Sequence, residues 1–146
     1  MFSYHKDPQK TLKAHPKPHI FYLGDIGRVD DEGFVYLSDR ESHMIISGGV
    51  NIYPSEVEQA LLEHPDVTDA AVFGIPNPEW GEEVKAVVEL RSGATATTEQ
   101  LRDFLRGKIA SFKIPRSMEF VNELPRTPSG KVQVHKLKAV YLASNP

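Results

Sequence analysis

The residue best placed to do chemistry is Lys131, in the stretch LPRTPSGKVQVHKL at positions 124–137. It follows Pro125, Pro128 and Gly130. Prolines stiffen a chain and glycine lets it turn sharply, so the stretch reads as a rigid presentation of one cation. Nothing else in it pairs a nucleophile with a base. The stretch ends in Gly-Lys but is not a phosphate-binding P-loop, because it lacks the glycine five residues earlier and the Ser/Thr after the lysine.

Other candidates are scattered. Asp25 can cap a turn, and an ionised carboxylate can accept two donors at once. Asp39 and Arg40 can pair to close a hairpin. Gly48 and Gly49 form a two-residue turn in which both positions tolerate positive φ. Lys113 and Arg116 lie in FKIPR and could attract phosphates. Trp80 reads as packing between strands rather than as a ligand platform. His15 and His19 have i,i+4 spacing, but Pro16 and Pro18 forbid the helix that would align them, so they read as an exposed strip. The acidic turn Asp30-Asp31-Glu32-Gly33 is too short for a calcium loop. No metal site is expected.

The elements that must position these residues follow from pattern. Residues 1–22 are rich in Pro, Lys and His and lack periodicity, and read as a tail or linker. GRVDDEGFVYLSDR and HMIISGGVNIY read as hairpins. PSEVEQALLEHP reads as a helix with a capping box from Ser55 to Glu58 and an inner face of Val57, Ala60, Leu61 and His64. VTDAAVFGIP and EEVKAVVELR are apolar enough for buried central strands. TTEQLRDFLRGKI is a second helix, with a Thr97–Gln100 capping box and Leu101, Phe104, Leu105 and Ile109 facing in. SMEFV is a short strand and VHKLKAVYLA a final helix. The order implies a small α+β layer, with a three-stranded sheet packed by helices and a separate two-stranded Gly-Gly hairpin.

Composition limits the function classes. The 146 residues suffice for one domain with a core, and the formal net charge of −3 argues against a bulk-charge nucleic-acid binder or a polybasic membrane anchor. No apolar run of about 18 residues is present, so no transmembrane segment is expected. The start has no apolar signal-peptide core. The absence of cysteine excludes disulfides and thiolate metal sites and fits a cytoplasmic protein, with peripheral membrane association left open.

Five stretches in order, GDIGRVDDEGFVYLSDR, MIISGGVNIYPSEVE, VFGIPNPEWGEEVKAVV, FKIPR and LPRTPSGKV, cover about residues 20–138. Together they resemble the C-terminal part of an adenylate-forming enzyme of the acyl-CoA synthetase (fatty-acid–CoA ligase) type. The resemblance implies an acid–thiol ligase that uses ATP and CoA as substrates, with Mg²⁺ implied for the full enzyme but not bound by this piece. Its partners would be a small carboxylic acid and the chain's own large N-terminal domain. That domain would carry the phosphate loop and acyl pocket, so this piece alone is expected to fold but not to catalyse.

Residue by residue, the resemblance makes Lys131 the catalytic adenylation lysine. Asp25 and Arg40 become nucleotide-binding, Asp39 the hinge, and Gly48 and Gly49 the border of the pantetheine tunnel. Residues 1–39 would then be a terminal strip of the large domain plus hinge, and 40–146 the small mobile C-terminal domain. The Gly24–Ser38 hairpin, lacking its packing partner, is expected to be mobile, repacked or paired with a neighbouring chain. Two alternatives stay open: an adenylation domain that hands its acyl group to a carrier protein, and a non-catalytic interaction module of the same fold.

Overall fold

The structure is a computed structural model that describes residues 2–144. The chain divides into two compact units, one ending at Ser42 and the other beginning at His43.

The first unit holds a helix and a hairpin. Helix α1, Pro8–Ala14, starts where Asp7 Oδ1 accepts the Lys10 N–H at 2.9 Å and Pro8 takes the first helical position. The lack of periodicity had suggested a tail. The Asp-Pro start was the signal that outweighed it. Strands β1, Asp25–Val29, and β2, Val35–Arg40, pair antiparallel from Asp25–Arg40 to Val29–Val35. Asp30 Oδ1 closes their turn by accepting the N–H groups of Glu32 and Phe34 at 3.0 and 2.9 Å. The Phe34 N–H above all, with Tyr36 and the turn's other amides assisting, holds the Asp30 carboxyl below its usual pKa. The hairpin expected from the sequence is thus formed, as a two-stranded sheet of its own. Val29, Phe34, Val35 and Leu37 remain exposed.

The second unit is an α+β layer built on one sheet. Its elements are β3 (Ile45–Ser47), β4 (Val50–Ile52), α2 (Pro54–Leu62), β5 (Val67–Asn77), β6 (Gly81–Leu90), α3 (Thr98–Leu105), β7 (Ser117–Val121) and α4 (Val134–Ser144). Strand β6 is central. One edge pairs antiparallel with β5 along its whole length. The other edge is shared: Lys85–Glu89 pair in parallel with β7, and Gly81 pairs with Ser47 of β3. The expected three strands and the Gly-Gly hairpin are therefore both present. The Ser47–Gly81 pair, helped by Glu82 Oε2 accepting the Ile46 N–H at 3.0 Å, joins them into one five-stranded sheet.

Both faces of the sheet are covered, which is why β5 and β6 read as continuous apolar runs. Val72, Val84, Ala86 and Val88 pack with Val57 and Leu61 of α2 and with Leu101 and Leu105 of α3. Ala71, Phe73, Ile75 and Val87 pack on the other face with Leu124, Val132, Leu137 and Tyr141. Lys85 shares that second face, only 5% exposed, with its ammonium 3.4 Å from Glu119 and 4.6 Å from the Tyr141 ring centroid.

One capping box is as expected and one is not. Thr97 Oγ1 accepts the Gln100 N–H and Gln100 Oε1 accepts the Thr97 N–H. Helix α2 instead begins at Pro54, one residue before Ser55, with Tyr53 as its N-cap. Glu58 Oε1 is used elsewhere, accepting the Val72 N–H of β5 at 2.9 Å.

Candidate functional site

Lys131 sits at the closing end of a tight loop held by several backbone hydrogen bonds. The Thr127 N–H donates to the Lys131 carbonyl at 2.8 Å, and the Gly130 N–H to the Thr127 carbonyl at 2.9 Å. Thr127 Oγ1 accepts the Lys131 N–H at 3.1 Å. Gly130 stands at φ +84°, a turn that L side chains resist. The loop stem is a small hairpin: Arg126 bridges Val132, and the Gln133 N–H donates to the Pro125 carbonyl at 2.7 Å. Leu124, just upstream, is buried at 1% exposure beneath α4. The backbone is thus fixed, while the Lys131 ammonium is exposed and makes no hydrogen bond or ion pair among the described residues. Such a cation is available to a ligand from elsewhere.

The Gly-Gly turn borders a cavity. Gly48 and Gly49 have φ of +57° and +78°, as a two-residue hairpin turn requires. The Gly48 N–H donates to the Trp80 carbonyl at 2.8 Å. Beside this turn lies a cavity of about 690 Å³ whose walls include Gly48, Trp80, Phe112, Arg102, Arg106 and Arg116. Arg116 lies over the Trp80 ring, 5.0 Å from its centroid. Arg106 pairs with Asp103, and Arg102 Nε is buried without a hydrogen-bond partner among the described residues. Three guanidiniums around one opening suit a multiply charged anion.

Trp80 lies in the β5–β6 turn, where its ring packs over Gly48 of the β3–β4 turn and also lines the cavity. Lys113 is occupied: both oxygens of Glu56 lie 2.6 Å from its ammonium, a contact that ties α2 to the Ser111–Lys113 turn. Arg102 and Arg106 were missed. Arg102 is on α3 and Arg106 is its extended C-cap residue, so no helical periodicity pairs them; only the basic run of the α3 end, with Lys108 two residues on, was a signal.

The remaining candidates belong to the first unit. Asp25 and Arg40 face each other in the β1–β2 register, with Arg40 Nε 3.1 Å from Asp25 Oδ1. Asp39 Oδ1 accepts the Arg40 N–H at 2.6 Å. The Tyr22 hydroxyl donates to Glu41 Oε2 at 2.9 Å, and that hydrogen bond holds the phenol above its usual pKa. Asp25, Asp39 and Arg40 are therefore grouped at one end of the ladder. Gly48, Gly49 and Lys131 lie on separate segments of the second unit.

Comparison with known proteins places this arrangement. The 2-succinylbenzoate–CoA ligase of Geobacillus sp. (strain WCH70) is 48% identical over 131 residues, covering 90% of this chain and 26% of that protein. The long-chain-fatty-acid–CoA ligase of Bacillus subtilis (strain 168) is 44% identical over 137 residues, covering 94% of this chain and 24% of that protein. The crystal structure of ATP-bound MatB from Rhodopseudomonas palustris superposes with a TM-score of 0.86 at 38% identity, over 93% of this chain and 27% of that one. The chain spans about a quarter of the length of the curated relatives it matches. The family model for the AMP-binding enzyme C-terminal domain matches residues 56–131, just over half of the chain and ending on Lys131, and the chain belongs to that family.

Proposed function

We propose that this chain is the mobile C-terminal domain of an ATP-dependent acyl-CoA synthetase. The observation that carries the reading is Lys131: an ammonium with no ion pair among the described residues, on a hydrogen-bonded turn, at the end of the family match, in a chain whose relatives are named CoA ligases. In the first half-reaction a carboxylate oxygen of the acid attacks the α-phosphorus of ATP. The bond to the bridging oxygen breaks and pyrophosphate leaves, giving the acyl-adenylate. Lys131 stabilises the charge that develops around the α-phosphate, where a positioned cation lowers the barrier most. In the second, the thiol of CoA attacks the acyl carbonyl and AMP leaves with the bonding pair.

The other residues take roles by the same reading. Asp25 accepts the ribose hydroxyls and Arg40 lies near the nucleotide. Asp39 is the hinge between a domain of residues 40–146 and a preceding strip, 1–39. Gly48 and Gly49 border the pantetheine tunnel, and glycine there permits close backbone approach. The arginine-lined cavity beside them suits the phosphates of CoA. Mg²⁺ belongs with ATP in such chemistry. The described residues hold no cluster of three or more His, Asp or Glu suited to a cation, so no step is assigned to a metal here. The acid is not fixed by these residues, since the relatives' names span an aromatic acid and long-chain fatty acids.

The test uses the complete enzyme that this reading implies. Lys131→Ala abolishes acid-dependent ATP–pyrophosphate exchange and leaves thioester formation from supplied acyl-adenylate intact. Equal loss of both half-reactions sinks the role given to Lys131. Offering CoA against a holo-carrier protein as acceptor separates the ligase from an adenylation domain that loads carriers.

A further inference from the structure

We propose that Arg126 is the positioning residue of Lys131, acting as a clamp between the sheet and the loop; the inference rests on the adenylating role just given to Lys131. It begins with two carboxylates. Asp69 of β5 and Glu89 of β6 are register partners, directly opposite each other. Like charges so placed destabilise a strand pair unless a cation joins them. Arg126 is that cation: its Nη2 lies 2.5 Å from Asp69 Oδ2 and 3.7 Å from Glu89 Oε2.

The other arm of the same guanidinium reaches the loop. Arg126 Nη1 donates to the Gly130 carbonyl at 3.2 Å, the peptide group immediately before Lys131. Glu89 Oε2 also accepts the Leu124 N–H at 2.9 Å, so the chain entering the loop is fastened to the same carboxylate. Asp69 and Glu89 are partly buried, at 24% and 15% side-chain exposure, where solvent screens the pair less than at an open surface. The Asp69 contact raises the Arg126 pKa above its already high value, so the clamp stays charged.

One planar fork thus holds two sheet strands and the Lys131 turn at once. A lysine's donors all sit on one nitrogen and cannot spread over these partners as the two guanidinium nitrogens do. The clamp fixes the Lys131 Cα relative to the sheet while leaving its side chain free to reach a substrate. Fixing the backbone removes a search that would otherwise precede each adenylation.

The experiment compares Arg126→Gln, Arg126→Lys and Asp69→Asn in the complete enzyme. Turnover in ATP–pyrophosphate exchange falls on the order of 10²-fold, the usual cost of misplacing a reacting group by about 1 Å. KM for ATP and thioester formation from supplied acyl-adenylate stay unchanged. Arg126→Lys does not restore exchange. A second readout needs no activity: in the full chain, the Lys131 amide loses hydrogen-exchange protection in Arg126→Gln, while core amides such as Val88 keep theirs.

Equal loss of both half-reactions, or unchanged exchange turnover, overturns the clamp. If Lys131→Ala abolishes exchange but Arg126→Gln does not, only this inference fails. If Lys131→Ala itself leaves exchange intact, the reading of Lys131 fails and the clamp's catalytic purpose with it.

Discussion

The Trp80 ring occupies the space that a side chain on Gly48 would need: a Cβ there would lie 2.8 Å from Trp80 Cε3. Gly49, its neighbour in the same turn, has open space on that side. Both glycines have positive φ, so alanine at either should cost about 1–2 kcal/mol from backbone strain. Gly48→Ala must also displace the ring, adding about 1–3 kcal/mol for overpacking. Urea unfolding of the two variants reads the difference, and equal losses would show that the ring yields freely.

The Asp30 turn should be sensitive to acid. The folded-state pKa of this carboxyl lies below the unfolded value of 3.8, chiefly because it accepts the Phe34 N–H. A depressed pKa contributes stability that is present above the unfolded value and lost as pH falls through the folded one. The amide resonances of Glu32 and Phe34 should therefore move together below pH 3.8, and Asp30→Asn should remove that transition.

Lys85 is buried without a buried partner, since the Glu119 side chain beside it is 58% exposed. Desolvating the ammonium offsets most of what that contact returns. Lys85→Met keeps the stem against the Tyr141 ring and should change stability by less than about 1 kcal/mol. Lys85→Ala leaves a gap in the core under α4 and should cost about 2 kcal/mol or more. A large loss in the methionine variant would show that the charge itself is needed.

Lys113 and Arg116 share one short motif but should behave differently. Lys113 is committed to Glu56, whereas Arg116 faces the cavity. Arg116→Ala and Arg106→Ala should raise KM for CoA, with a steeper salt dependence in the wild type than in either variant. Lys113→Ala should leave KM for CoA unchanged and lower stability by up to about 1 kcal/mol. A rise in KM for the Lys113 variant would place it in the cavity after all.

What the sequence made legible was what local pattern decides. The β5 and β6 runs, the Thr97 cap and the Gly-Gly turn each depend on residues within a few positions of one another. Ser55 misled because Pro54 is itself a preferred first helical residue, which moves the helix start back by one. The clamp on Lys131 was illegible because it needs the β5–β6 register, which brings Asp69 opposite Glu89, and then a loop 57 residues after Asp69 to return over both. Lys113 was misplaced, and the seat of Trp80 over Gly48 hidden, for the same reason: the partners Glu56 and Gly48 are remote in sequence. Family resemblance nominated Lys131 and its companions; only the packed structure shows what holds them.

Strand β5 is long, apolar and last in its sheet. A strand of that kind is a natural seed for runaway pairing between molecules. Two details remove the opportunity. Glu58 already occupies the Val72 N–H, and Pro76 has no N–H to offer. An incoming chain would have to break one bond and forgo another before forming any ladder of its own. The glutamate expected to cap its helix thus masks one open donor of the strand at the sheet's border, which disfavours pairing with another molecule there.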